Sequence, residues 1–378
     1  MVGKSFEGAS HHAGSFTLLT LSRFVCGIRI VTSLRWNGRW KRHRPYLIEW
    51  YPHPIRRMKI VIRLVIAITA AFVIVAAVIF GPYGLRVQHF NTDPARGYYA
   101  DFYVYVSHNA QRAAREGKQI TILVQPNNSG INSDDPAVHR KDAWWTGFER
   151  HRIANELGVV LLVPAFIRPG EDWTIYTQAL DRDSLTTERA DIKRIDLQLI
   201  AMIDHARSAL AADGIQTDEK ILIQGFSASG MFANRFTILH PDRVKAATMG
   251  SPGGWPIAPL TTFDGEQLPY PAGVADLESL TGERFDAAAY NLVPQLIYMG
   301  SLDDNDSLDF QDGWDEAAAG QVNHLFGEDP ISRWDDAVAV YQTAGANAQF
   351  LLVDGIGHDR KALQDYSTEF FKEILKDE

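Results

Sequence analysis

The chain has 378 residues, 46% of them apolar and 22% charged, the mixture of a polypeptide that folds around a core and not of a disordered one. Its net charge of −9 is unevenly spread: residues 1–57 hold ten Lys/Arg against two acids, residues 58–80 add two cations, and the remainder carries −19. So acidic a body repels phosphate backbones, which excludes nucleic acid as its partner, and the single cysteine, Cys26, excludes an intrachain disulfide or a multi-cysteine metal site.

The first segment, residues 1–57, is basic and shows no sustained period, so it is assigned no fold. Met58-Lys59 looks like a start in its own right, and residues 1–57 are read either as an upstream extension of the reading frame or as a poorly ordered tail suited to anionic lipid. Leu64 to Phe80 then reads LVIAITAAFVIVAAVIF, without a charge or a polar stripe, and Ile60 to Ile62 lengthen it if Arg63 snorkels. A transmembrane helix is predicted over 58–83, touching the membrane through residues 60–80. Arg56, Arg57, Lys59 and Arg63 precede the run and only Arg86 follows closely, which predicts a single-pass protein with a cytoplasmic N-terminus and an extracytoplasmic body. The small pair Val75 and Ala77 falls inside the run, not after it, so an uncleaved anchor is favoured over a signal peptide.

Residues 84–378 alternate short β-rich runs with helical stretches. Strands are predicted at Tyr98–Val106, Ile120–Gln125, Val159–Val163, Lys220–Gln224, Val244–Met249, Gln295–Met299 and Gln349–Val353, several of them continuous apolar runs as in a sheet covered on both faces. Ile192, Ile195, Leu199, Ile203, Ala206 and Leu210 recur at helical spacing. The fold class expected is α/β, one doubly wound, mostly parallel sheet preceded by the N-terminal membrane helix. The Pro/Gly-rich stretch Ser251–Pro271, continuing to Val293, is read as an insertion near the site.

The chemistry is concentrated after three strands. Lys220–Gln224 leads into Gly225-Phe226-Ser227-Ala228-Ser229-Gly230, and Met231–Leu239 reads as a helix ended by His240-Pro241. Strand, tight turn and helix with serine at the turn is what a seryl nucleophile requires, because its Oγ must project while the following N–H groups face the developing oxyanion. The pattern GxSxG is met except at its last position, where Ser229 replaces glycine. Downstream, one strand ends in Gly300-Ser301-Leu302-Asp303 and the last in Asp354-Gly355-Ile356-Gly357-His358-Asp359. The chain order Ser, Asp, His is that of α/β-hydrolases. Asp303 is favoured as the acid, with Asp306 as the alternative in the same crowded turn, and His358 as the base. Ala228 and Asn128, the latter preferred over Asn127, are expected to supply the oxyanion-hole N–H groups. Trp144, Trp145, Trp173, Tyr176 and Trp255 are placed in loops at strand ends as candidates to line a pocket. Asp303, Asn305, Ser307 and Asp309 alternate like the start of a calcium loop, but Leu308 stands where glycine is required and Trp314 where glutamate is, so no metal is expected. No cofactor is expected either.

From about Tyr98 onward the chain resembles the α/β-hydrolase superfamily, and GFSASGMFA is similar to the GLSAGG-type elbow of polyhydroxybutyrate-depolymerase-like and feruloyl-esterase-like enzymes. The resemblance implies carboxyl-ester cleavage, with Ser227 as nucleophile, Asp303 as acid and His358 as base, acting on a small-molecule or polymeric ester. A lipase-type His-Gly-Gly-Gly is missing, and the corresponding loop reads Gln125-Pro126-Asn127-Asn128-Ser129-Gly130. Thioesterase, peptidase and acyltransferase activity share the same triad and stay open. So does a non-catalytic, membrane-tethered binding protein that keeps the fold.

Overall fold

The computed structural model describes a strand pair, Phe24–Val25 with Ile28–Arg29, residues 53–310 and residues 313–376. Most of the basic segment, Cys26 included, lies outside the described residues. By contacts the chain divides after Ile79 into two compact units.

The first helix, α1, spans His53–Gly84 and contains no acidic residue in its first turn and no basic one in its last. Within it Met58–Val78 has 21 residues, a mean hydropathy of 2.8 and no buried share. At 1.5 Å per residue this stretch is about 32 Å long, the thickness of a bilayer's hydrocarbon layer. It is the one helix among the described residues long and apolar enough to cross a membrane.

The second unit is built on eight strands: β1 Val87–Phe90, β2 Phe102–Val106, β3 Ile122–Val124, β4 Val160–Pro164, β5 Ile221–Phe226, β6 Val244–Gly250, β7 Gln295–Gly300 and β8 Ala348–Val353. Their order across the sheet is β8-β7-β6-β5-β3-β4-β2-β1. Strands β3 to β8 run parallel, while β2 is antiparallel to both β4 and β1. Six of the seven predicted strands fall within two residues of their expected bounds, and the first begins four residues late. Strand β1 was not predicted; its sequence, VQHF, is a short, half-exposed edge without an apolar run.

The central strands are buried on both faces, which explains their uninterrupted Ile, Leu and Val. On one face Leu161, Leu222 and Ala246 pack with Ala143 and Ala154 of α2 (Pro136–Leu157) and with Leu363 and Phe371 of the C-terminal helix Arg360–Lys376. On the other, Ile223, Ala247 and Ile297 pack with Leu199 and Ile203 of α3 (Ile195–Ala212), Phe232 and Phe236 of α4 (Ala228–Leu239), and Val340 and Tyr341 of α5 (Trp334–Ala344). Removing one such buried phenylalanine ring costs about 3–5 kcal/mol. The Ser251–Val293 stretch interrupts the alternation as expected, holding only a two-residue hairpin, Thr262–Phe263 with Glu266–Gln267, and two short helices. Because β3, β5, β7 and β8 are parallel, the loops that follow them leave the sheet at one edge, and those loops carry Asn128, Ser227, Asp303 and His358.

Candidate active site

Strand β5 ends at Phe226 and helix α4 begins at Ala228, leaving Ser227 alone in the turn at φ 58°, ψ −128°. That backbone region costs a serine about 1–3 kcal/mol and needs its surroundings to impose it. Those surroundings are identifiable. Ser227 N–H donates to Gly250 C=O at 2.9 Å. A Cβ on Gly225 would lie 1.9 Å from the Ser229 oxygen, and one on Gly230 would lie 2.7 Å from the Gly250 oxygen, so strand and helix pass at distances only glycine allows. The departure from GxSxG at Ser229 is also explained. Its hydroxyl turns inward, accepting from Phe226 N–H at 3.0 Å and donating to Phe226 C=O at 2.9 Å, and so fastens the turn.

The loops after β7 and β8 are stitched together. Leu302 N–H donates to Ile356 C=O at 2.8 Å, Ser301 N–H to Val353 C=O at 2.8 Å, and Gly355 N–H to the Ser301 hydroxyl at 2.9 Å. Gly300 allows the approach, since a Cβ there would meet the Ile356 oxygen at 2.1 Å. The result sets His358 Nδ1 at 3.0 and 2.9 Å from the two Asp303 oxygens. Asp303 is 1% exposed; burial pushes its carboxyl up, but His358 and the Asn305 N–H, both bonded to it, hold it below the usual carboxylate range. Asp306, the alternative acid, binds elsewhere: its carboxylate pairs with the buried Arg333 guanidinium at 2.8 Å. With Nδ1 facing a carboxylate, the ring proton belongs on Nδ1 and Nε2 is left as the acceptor. Among the described residues no hydrogen bond joins Nε2 to Ser227; Asn305 Nδ2 lies 3.3 Å from it instead.

Ser227 and His358 line one cleft of about 380 Å³. Asn128 lines it too, its side chain between Phe226 C=O and the Tyr176 hydroxyl, each at 3.5 Å. Asn127 points away, its buried amide bonded at 3.0 Å to both peptide groups of Phe166. Ala228 is the first residue of α4, so its N–H has no acceptor within the helix. The aromatic expectation needs correction. Trp144 and Trp145 are not in a loop but on α2, and only Trp145 of the five lines the cleft. Trp144 stacks on Phe148, Trp255 is buried against Phe326, Trp173 is exposed, and Tyr176 lies under the Arg168 guanidinium.

The rest of the cleft wall had no counterpart in the sequence reading. Asp142, Trp145, Thr146, Glu149 and Arg150, one face of α2 at helical spacing, stand opposite no apolar pocket but make the wall polar. Arg360 closes it, paired with Glu149 at 2.6 Å. A charged residue inside a helix reads as solvated surface unless the helix is known to border a site, and Gly147, whose missing side chain makes room for Tyr83, is the one local sign of a constrained face.

A mostly parallel eight-stranded sheet in this order, flanked by helices on both faces and carrying these loops on one edge, is the α/β-hydrolase fold. No protein-family model matches the chain, and no curated protein matches it in sequence. Among solved structures it is similar to poly(aspartic acid) hydrolase-1 from Sphingomonas sp. KT-1, with 19% identity and a TM-score of 0.50 over 76% of this chain and 98% of that one. It is also similar to a poly(3-hydroxybutyrate) depolymerase from Bordetella parapertussis, at 20% identity and a TM-score of 0.49 over 78% and 92%. At 19% identity the likeness to the first is one of fold alone.

Proposed function

We propose that the protein is a membrane-anchored serine hydrolase that cleaves a carboxylic ester through an acyl-enzyme on Ser227. The observation that carries this reading is the Asp303–His358 pair, 2.9 Å apart, beside a serine held at positive φ in the same cleft. His358 Nε2 takes the seryl proton as Oγ attacks the ester carbonyl, and Asp303 orients the ring and stabilises its cationic form. Asn305 gives up its contact with Nε2 as this happens. The Ala228 and Asn128 N–H groups receive the charge that gathers on the carbonyl oxygen. Nε2 returns the proton to the leaving alkoxide, and water repeats the sequence to release the acid. The apolar stretch Met58–Val78 supports the anchor, and the basic residues before it support an N-terminus in the cytoplasm with the catalytic body outside.

The test is turnover of p-nitrophenyl butyrate by two variants. Asp303→Asn leaves the ring in the wrong tautomer, and kcat should fall by about 10³- to 10⁴-fold in a folded protein. Asp306→Asn strips the buried Arg333 of its partner and should cost about 3–5 kcal/mol of stability, with the folded fraction still active. A large kcat loss in folded Asp306→Asn, with Asp303→Asn nearly unaffected, would transfer the acid's role to Asp306.

A further inference from the structure

Arg150 is 6% exposed and lines the cleft that holds Ser227 and His358. A buried guanidinium ordinarily sits against a carboxylate, since an unpaired charge removed from water is costly. Among the described residues no carboxylate lies within ion-pair distance of Arg150, and its hydrogen bond is to a neutral group, the Gln364 side-chain oxygen at 2.8 Å. The nearby acid is already taken: Glu149 is bonded to Arg360 at 2.6 Å. Arg150 is thus left without a paired carboxylate of its own, although Asp142 and Glu149 both belong to the same wall. Burial and the neighbouring Arg360 push the Arg150 guanidinium down to about 10 against the opposing influence of Tyr298 and Glu149. At neutral pH it is still fully charged.

Arg150 belongs to the buried stripe of α2 with Ala143, Gly147 and Ala154, where an apolar side chain would serve a purely structural place as well. The geometry points to a ligand-borne counter-ion: we propose that Arg150 binds a carboxylate carried by the ester substrate, so that the cleft selects monoanionic esters over their neutral isosteres. The planar fork of arginine suits a carboxylate, and a partly desolvated cleft strengthens the pair over what it is worth in water. The inference rests on the hydrolase reading of the same cleft, which it deepens by naming a substrate class.

Monomethyl adipate and dimethyl adipate make the test, since they differ in little but the free carboxylate, and binding of adipate itself is followed by calorimetry. The wild-type protein should bind adipate and should show the higher kcat/KM on the monoester. In Arg150→Gln the ratio of the two kcat/KM values should fall at least ten-fold and adipate binding should weaken by a similar factor, whereas Arg150→Lys, which keeps the charge, should retain part of the preference. A wild-type protein that favours the diester and binds no adipate overturns the proposal without any variant, as does an unchanged ratio in Arg150→Gln. A protein that hydrolyses neither ester and leaves Ser227 unreactive overturns the hydrolase reading instead, while adipate binding still decides the role of Arg150.

Discussion

At the scale of single residues, the strained turn is fastened by a side chain that the motif does not ask for. Gly225 and Gly230 let strand and helix approach so that Ser227 can hold φ 58°, and the Ser229 hydroxyl adds stability by tying both polar groups of Phe226. Replacing Ser229 by alanine leaves a buried N–H and C=O without that partner, at a cost of about 1–3 kcal/mol. Ser229→Ala should therefore melt several degrees lower while its folded fraction keeps most of its turnover, measured by thermal unfolding and p-nitrophenyl butyrate hydrolysis; an unchanged melting temperature would mean the hydroxyl bonds contribute nothing. From sequence alone the residue reads as a small substitute for glycine whose hydroxyl turns into the helix or its packing and which tolerates alanine; that its partners are the N–H and C=O of Phe226 is a matter of backbone geometry. Asn305 is hidden for a similar reason, since its contact with His358 spans 53 positions.

At the scale of elements, helix α2 has two jobs on two faces. Ala143 and Ala154 pack on the sheet, Asp142 and Thr146 border the cleft, and the buried Arg150, between the two, reaches the cleft from the stripe of Ala143 and Ala154. Burial pushes the Asp142 carboxyl up to about 6 against the opposing influence of Asn127, and one of its oxygens is buried without a partner. A carboxyl raised in this way holds its proton more tightly folded than unfolded. Its contribution to stability is present below the unfolded value of about 3.9 and is lost as pH rises through 6. Asp142→Asn removes that loss, so the variant should melt about 2–4 °C above wild type at pH 8, and the gap should close below pH 4. A gap that widens on acidification would contradict the assignment. The strands were legible because burial on both faces leaves continuous apolar runs, as in ILIQGF, and Ser227, Asp303 and His358 stand in the loops where those runs end. The polar wall was not legible, because Arg150 meets Gln364 and Glu149 meets Arg360 across more than two hundred positions, and helical spacing says nothing of what faces a helix.

At the scale of the whole molecule, the chain combines a basic front, one apolar helix and an acidic α/β body. Four cations before the apolar run and Arg86 after it favour a cytoplasmic front. Protease added to intact cells should digest the body without permeabilisation, and digestion only after lysis would reverse the orientation.

The central claim, that Ser227 is an activated nucleophile, has a direct measurement in labelling by a fluorophosphonate, which reacts with a serine only when a base and an oxyanion site support it. The wild-type protein should be labelled once, with the adduct mapping by mass spectrometry to the peptide containing Ser227, and both Ser227→Ala and His358→Ala should remain unlabelled while folded. A folded wild-type protein that does not react, or an adduct that persists in Ser227→Ala, would contradict the account.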